Sequence, residues 1–100
     1  MALSPEEFSS SEGVADWQVL PSGEVEARFA TVDFNAGAEL VNAIARLADA
    51  ADHHPDVDLR YRGVTVRLLS HDIGALSSRD VALAREISAA ARAMGVDAGS

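Results

Sequence analysis

Three histidines are the residues of this chain best suited to chemistry, and all three fall in one stretch. His53 and His54 close the run Asp49-Ala-Ala-Asp52-His53-His54-Pro55, and His71 sits in Ser70-His71-Asp72, with Tyr61 between the two runs and Asp80 beyond them. An imidazole changes charge near neutral pH, so a converging set can both donate and accept protons without strong tuning. A carboxylate beside an imidazole fixes its tautomer and raises its basicity. Asp49 precedes His53 by one helical turn and is placed to do this on the same face. Other readings of the same residues stay open. His-His-Pro also serves as a helix-stop loop with solvated imidazoles. A three-histidine zinc site is possible in principle, but neighbouring residues in extended chain point apart, so one of His53 and His54 would have to turn back. Tyr61 either walls a pocket or packs, and Ser70 either backs the cluster or simply turns the chain. Arg60, Arg62, Arg67 and Arg79 read as solvated charge.

These residues need elements to hold them. Ser4-Pro5-Glu6-Glu7 has the cap, the first-turn proline and the acids of a short helix start. Trp17–Leu20 reads as a strand, Pro21-Ser22-Gly23 as a turn, and Glu24–Ala30 alternates apolar and polar as a half-buried strand. Asp33 or Asn35 caps a helix that runs to about Ala51, with Leu40, Ile44, Leu47 and Ala51 at helical spacing. Pro55 ends any continuation, since the residue before a proline is driven from helical geometry. Val57–Arg62 and Val64–Leu69 follow as strands, with Gly63 at a bend. Ser77-Ser-Arg-Asp80 resembles a capping box with a shorter acid than usual, opening a last helix whose buried stripe is Leu83, Ile87, Ala90 and Met94. Gly95 closes it, and residues 96–100 are expected to fray. The order helix-strand-strand-helix-strand-strand-helix predicts an α+β fold, a four-stranded antiparallel sheet with helices packed on one face. His53, His54 and His71 then lie at element ends, where side chains face a cleft held by rigid structure.

Composition sets the outer bounds. One hundred residues, 48% of them apolar, make one domain over residues 1–100 with its core at about 14–94. The lack of cysteine excludes disulfides and thiolate metal sites. A net charge of -8 opposes direct binding to nucleic acid, which requires a basic surface. No apolar run approaches the roughly 18 residues of a membrane span, and the N-terminus does not look like a signal peptide, so a soluble cytoplasmic protein is expected. A small acidic sheet domain can also pair its edge strands into a homodimer or homotetramer.

The spacing carries a resemblance. An acid, three residues, His53-His54-Pro55, five residues, Tyr61, nine residues, His71, eight residues and Asp80 is similar to the signature of the pterin-4a-carbinolamine dehydratases. Trp17 before a short hairpin, Val25-Glu-Ala-Arg-Phe29 leading to Asp33-Phe34, and Arg79-Asp80-Val-Ala-Leu-Ala84 extend the likeness from about Val14 to Met94. Departures from the family pattern are Asp49 for a common glutamate, Ser70 for threonine, Ala75 for a second glycine, and Val57 where some relatives carry a large aromatic. The resemblance implies a fold of the kind just read. It also implies an activity, the removal of water from 4a-hydroxytetrahydropterin to give quinonoid dihydropterin, downstream of an aromatic amino-acid hydroxylase. His53, His54 and His71 would be the catalytic set. Asp49, Asp52, Pro55, Tyr61, Ser70 and Asp80 would bind the substrate or support the histidines. No cofactor or metal is implied, the pterin being the substrate. Some proteins resembling this family act instead as transcription-factor dimerisation partners or as assembly factors for a carbon-fixing enzyme. A non-catalytic binding or assembly role is therefore the alternative.

Overall fold

The computed structural model describes residues 1–99. Ser4 caps α1 (Pro5–Ser9), as the sequence predicts, and does so through a complete capping box with Glu7. β1 (Gln18–Val19) and β2 (Val25–Ala30) form a hairpin, followed by α2 (Phe34–Ala51), β3 (Asp56–Arg60), β4 (Gly63–Leu68), α3 (Ser78–Ala93) and β5 (Asp97–Ala98). Asp33 rather than Asn35 caps α2, its carboxylate accepting from the Ala36 N–H at 2.8 Å. All pairings are antiparallel and the strand order is β1-β2-β4-β3.

The alternation of β2 and β4 decides which face is covered. Val25, Ala27 and Phe29 lie opposite Leu68, Val66 and Val64, and all six are buried beneath α2 and α3. Between them Glu26 lies opposite Arg67 on the open face, where the guanidinium Nε donates to the Glu26 carboxylate at 2.8 Å. α2 contributes Leu40, Ile44 and Ala48 to the core, each four residues after the last. In α3 the buried stripe runs through Leu83, Ala84, Ile87 and Ala91. Met94, expected in that stripe, is the C-cap residue instead and is exposed. The helix ends there, so the periodicity no longer governs where Met94 points.

The tail also departs from expectation. Asp97 and Ala98, expected to fray, form β5 opposite Ala30 and Phe29, and the Gly99 N–H donates to the Arg28 carbonyl. β1 covers only the Val25–Glu26 end of that edge of β2, which leaves hydrogen-bonding groups beyond it for β5 to satisfy. The sheet thus has five strands, with β1 and β5 sharing one side of β2. Ser100 lies outside the described residues.

One long-range polar contact fixes α3 over the hairpin. The buried Trp17 indole N–H donates to Ser88 Oγ at 2.9 Å, while the Trp17 ring meets Phe29 edge to face. Ser88→Ala strands the indole donor in the core. Urea unfolding is expected to show a loss of about 1–3 kcal/mol; an unchanged midpoint would mean the indole finds another acceptor.

Candidate functional site

The C-terminus of α2, the end of β4 and the N-terminus of α3 meet at one end of the sheet, and the histidines gather there. α2 stops at Asp52, the one non-glycine residue with positive φ (φ 49°, ψ 43°) among the described residues. Aspartate tolerates this left-handed conformation better than most side chains. The reversal returns the His53 N–H to the Ala48 carbonyl at 3.1 Å, a 6→1 closure of the helix end. His53 is thereby turned inward, 8% exposed, while His54 one residue on faces solvent. Asp52 itself is exposed: its part is to end the helix.

His53 does not pair with Asp49. Its Nε2 donates at 2.6 Å to Oδ1 of Asp80, which is fully buried at the start of α3. The other carboxylate oxygen accepts from Ser70 Oγ at 2.7 Å and from the Ser77 N–H at 2.9 Å. Ser77 is the α3 N-cap, so Asp80 closes the capping box with one oxygen and holds His53 with the other. Both sequence readings of Asp80, as cap and as support for the histidines, describe the same carboxylate.

The donors can be assigned throughout. A carboxylate only accepts, so His53 presents Nε2–H and Ser70 gives its hydroxyl proton to Asp80. The 2.7 Å contact between Ser70 and Ser77 is then made by the Ser77 hydroxyl donating to Ser70. Among the described residues the one fully buried side-chain polar atom without a partner is the Thr31 hydroxyl. Among the described residues His53 Nδ1 has no hydrogen-bond partner and is not fully buried, so it is the ring nitrogen left available. The result is a buried, carboxylate-oriented imidazole whose second nitrogen is not engaged by the described residues.

His54 and Asp49 form a second pair, Nε2 to Oδ1 at 2.9 Å, with side chains 59% and 78% exposed. At that exposure the contact orients the ring and adds little stability. The two residues edge a cleft of about 180 Å³ whose walls include Val41, Ile44, Ala45, Pro55 and Val57. It combines an apolar slot with one imidazole and one carboxylate, the mix of walls and few polar groups typical of small-molecule sites, though it is smaller than most. Larger hollows of about 570 and 400 Å³ lie along the β1–β5 edge of the sheet and hold no histidine.

His71 lies in the exposed loop after β4, next to the buried Ser70 that binds Asp80. Tyr61 is not part of this cluster. The sequence reading placed it on a strand near the histidines, but β3 ends at Arg60 and Tyr61 falls in the turn beyond, 63% exposed and stacked with Arg62 at 5.3 Å. That puts it beyond the opposite end of β3 from His54, seven residues on and so on the order of 20 Å away at the rise of an extended strand. No three His, Asp or Glu side chains among the described residues are grouped as metal ligands. His53 and His54 turn to different carboxylates, Asp80 and Asp49. The residue the sequence reading missed is Ser77, whose amide and hydroxyl complete the Asp80 network. Its signal was the capping box itself, read only as a helix start.

A family model described as pterin 4 alpha carbinolamine dehydratase matches residues 1–90. The chain belongs to that family. A protein of Chloroflexus aggregans, provisionally named a pterin-4-alpha-carbinolamine dehydratase, is 42% identical over 72 residues, which is 72% of this chain and 77% of that one. A protein of Nocardia farcinica under the same provisional name is 37% identical over 91 residues, 90% of this chain and 95% of that one. Among solved structures, a transcriptional coactivator/pterin dehydratase from Brucella melitensis superposes with a TM-score of 0.84 at 25% identity, covering 91% of this chain and 99% of that one. A pterin dehydratase-like protein described as a RuBisCO assembly factor of the alpha-carboxysome shares the fold, with a TM-score of 0.65 at 19% identity over 76% of this chain and 89% of that one. None of the described helices is long and apolar enough to cross a membrane.

Replacing Asp80 by alanine removes the shared acceptor of three buried donors. The expected loss in denaturant unfolding is about 3–5 kcal/mol, a large part of the 5–15 kcal/mol typical of a domain. A loss below about 1 kcal/mol would show that water substitutes for the carboxylate.

Proposed function

We propose that this chain is a 4a-hydroxytetrahydropterin dehydratase that works by histidine acid–base catalysis. The observation that carries the reading is His53, buried, held by Asp80 through Nε2 and open at Nδ1, beside His54 and His71 at one end of the sheet. The reaction breaks the C4a–O bond and removes a ring N–H proton, so that water leaves and a C=N bond forms. One group must protonate the departing hydroxyl and another must take the ring proton. Imidazoles matched to ambient pH supply both, with no change of oxidation state. In this reading His54 and His71 meet the hydroxyl, and His53 takes the ring proton through Nδ1. Asp49 orients His54 and offers its second oxygen to the pterin's N–H donors. The apolar walls of the neighbouring cleft, Val41, Ala45 and Val57, receive the flat ring. The substrate is then the product of a pterin-dependent hydroxylase, and the chain works in the cytoplasm without a metal or redox cofactor, as a homodimer or homotetramer.

The second reading is a non-catalytic role on the same scaffold. It is favoured by the two solved structures, one titled in part as a transcriptional coactivator and the other as a RuBisCO assembly factor. Fold alone does not choose between them, because function resides in the site. Retention of three histidines with two carboxylate partners favours the enzyme, since assembly alone places no demand on titratable groups there.

The test follows dehydration of 4a-hydroxytetrahydropterin by ultraviolet absorbance. The wild type should accelerate it, and His54→Ala and His71→Ala, both at exposed positions, should each cost about 10²–10⁴ in rate with the fold retained. No acceleration by folded wild type would transfer the weight to the assembly role. Activity should also survive dialysis against EDTA; loss restored by zinc would contradict the metal-free reading.

A further inference from the structure

The loop that carries His71 has a single side-chain tether among the described residues. Ser70 and Ala75 close it with reciprocal backbone hydrogen bonds of 3.0 and 3.3 Å, and Gly74 takes the positive φ (61°) the turn requires. Within it, His71, Asp72, Ile73 and Gly74 are all exposed, and the His71 ring has no hydrogen-bond partner among the described residues. Asp72, the next residue, accepts from Arg79 Nη2 at 2.7 Å, while Arg79 Nε donates to Ser77 Oγ at 3.3 Å. Arg79 is the second residue of α3 and directly precedes Asp80. Two adjacent residues of one helical turn thus reach both histidine-bearing segments, Asp80 directly to His53 and Arg79 through Asp72 to the His71 loop.

We infer that Arg79 is a positioning residue that holds the His71 loop against the start of α3 through Asp72. The inference rests on the dehydratase reading for its kinetic consequence, while its structural consequence stands apart from it. The Arg79 hydrogen bond holds the Asp72 carboxyl below the usual carboxylate range. A group depressed in the folded state keeps its contribution above its unfolded value and loses it as pH falls through the folded one, so the tether is complete at neutral pH and released only in acid. As an exposed pair it is expected to add little to global stability, so its effect should be local.

The experiment compares wild type with Arg79→Ala, Arg79→Lys and Asp72→Asn, with two readouts on each. Backbone ¹⁵N relaxation of residues 71–74 reports loop order. Steady-state dehydration gives kcat and KM. The expected result is loss of order confined to 71–74, with kcat down about 10-fold and KM within about two-fold, because misplacing one catalytic group lowers rate more than binding. Arg79→Lys should recover part of the rate, and the Arg79→Ala/Asp72→Asn double variant should be no worse than either single one. Unchanged loop order in Arg79→Ala, or disorder with unchanged kcat, would overturn the inference. If wild type lacks dehydratase activity, the functional reading fails, and the relaxation data alone still decide whether Arg79 holds the loop.

Discussion

The site depends on one carboxylate. Asp80 is fully buried, and its two oxygens tie three segments together: the end of α2 through His53, 27 residues away, the end of β4 through Ser70, and the cap of its own helix α3 through Ser77. A charge so placed is costly to desolvate and persists only when its acceptor capacity is used. Here three donors use it. The same contacts that repay burial also set the tautomer of His53, so stability and chemical competence rest on one residue.

The arrangement explains why two adjacent histidines have different surroundings. Asp52, in left-handed geometry, reverses the chain and sends His53 inward to Asp80. His54 remains outside, paired with Asp49 at the rim of the apolar cleft. One imidazole is therefore fixed by burial and the other is free to follow a ligand. That division suits a reaction in which one proton is taken at a defined ring position and another is delivered to a departing hydroxyl.

Much of the fold was legible because it is written in local patterns. The alternation of β2 and the Ser4 and Ser77 caps each act over a few residues, and each appears where read; α2 ends where read as well, but through the left-handed Asp52, three residues before Pro55. What was not legible depends on contacts across the chain. β5 forms because β1 is too short to cover its side of β2, which no pattern in residues 97–98 announces. Tyr61 was misplaced because β3 ends two residues earlier than the pattern suggests, at Arg60, and because a five-residue strand carries it away from the histidine end of the sheet. In the site, the histidines and Asp80 were singled out by their types and spacing. The pairing was not, because Asp49 is near both histidines in sequence and only the helix-terminal turn decides that it meets His54.

The central claim is that Asp80 fixes His53 as the Nε2–H tautomer with Nδ1 as the available base. Long-range ¹H–¹⁵N correlation of the histidine rings tests it directly, recorded at a pH where His53 is neutral. The account predicts a protonated Nε2 and an unprotonated Nδ1 for His53, a pattern lost in Asp80→Asn. A proton on Nδ1 in the wild type would contradict it, since Nε2 would then be an acceptor facing a carboxylate and His53 would have no free basic nitrogen to offer a substrate.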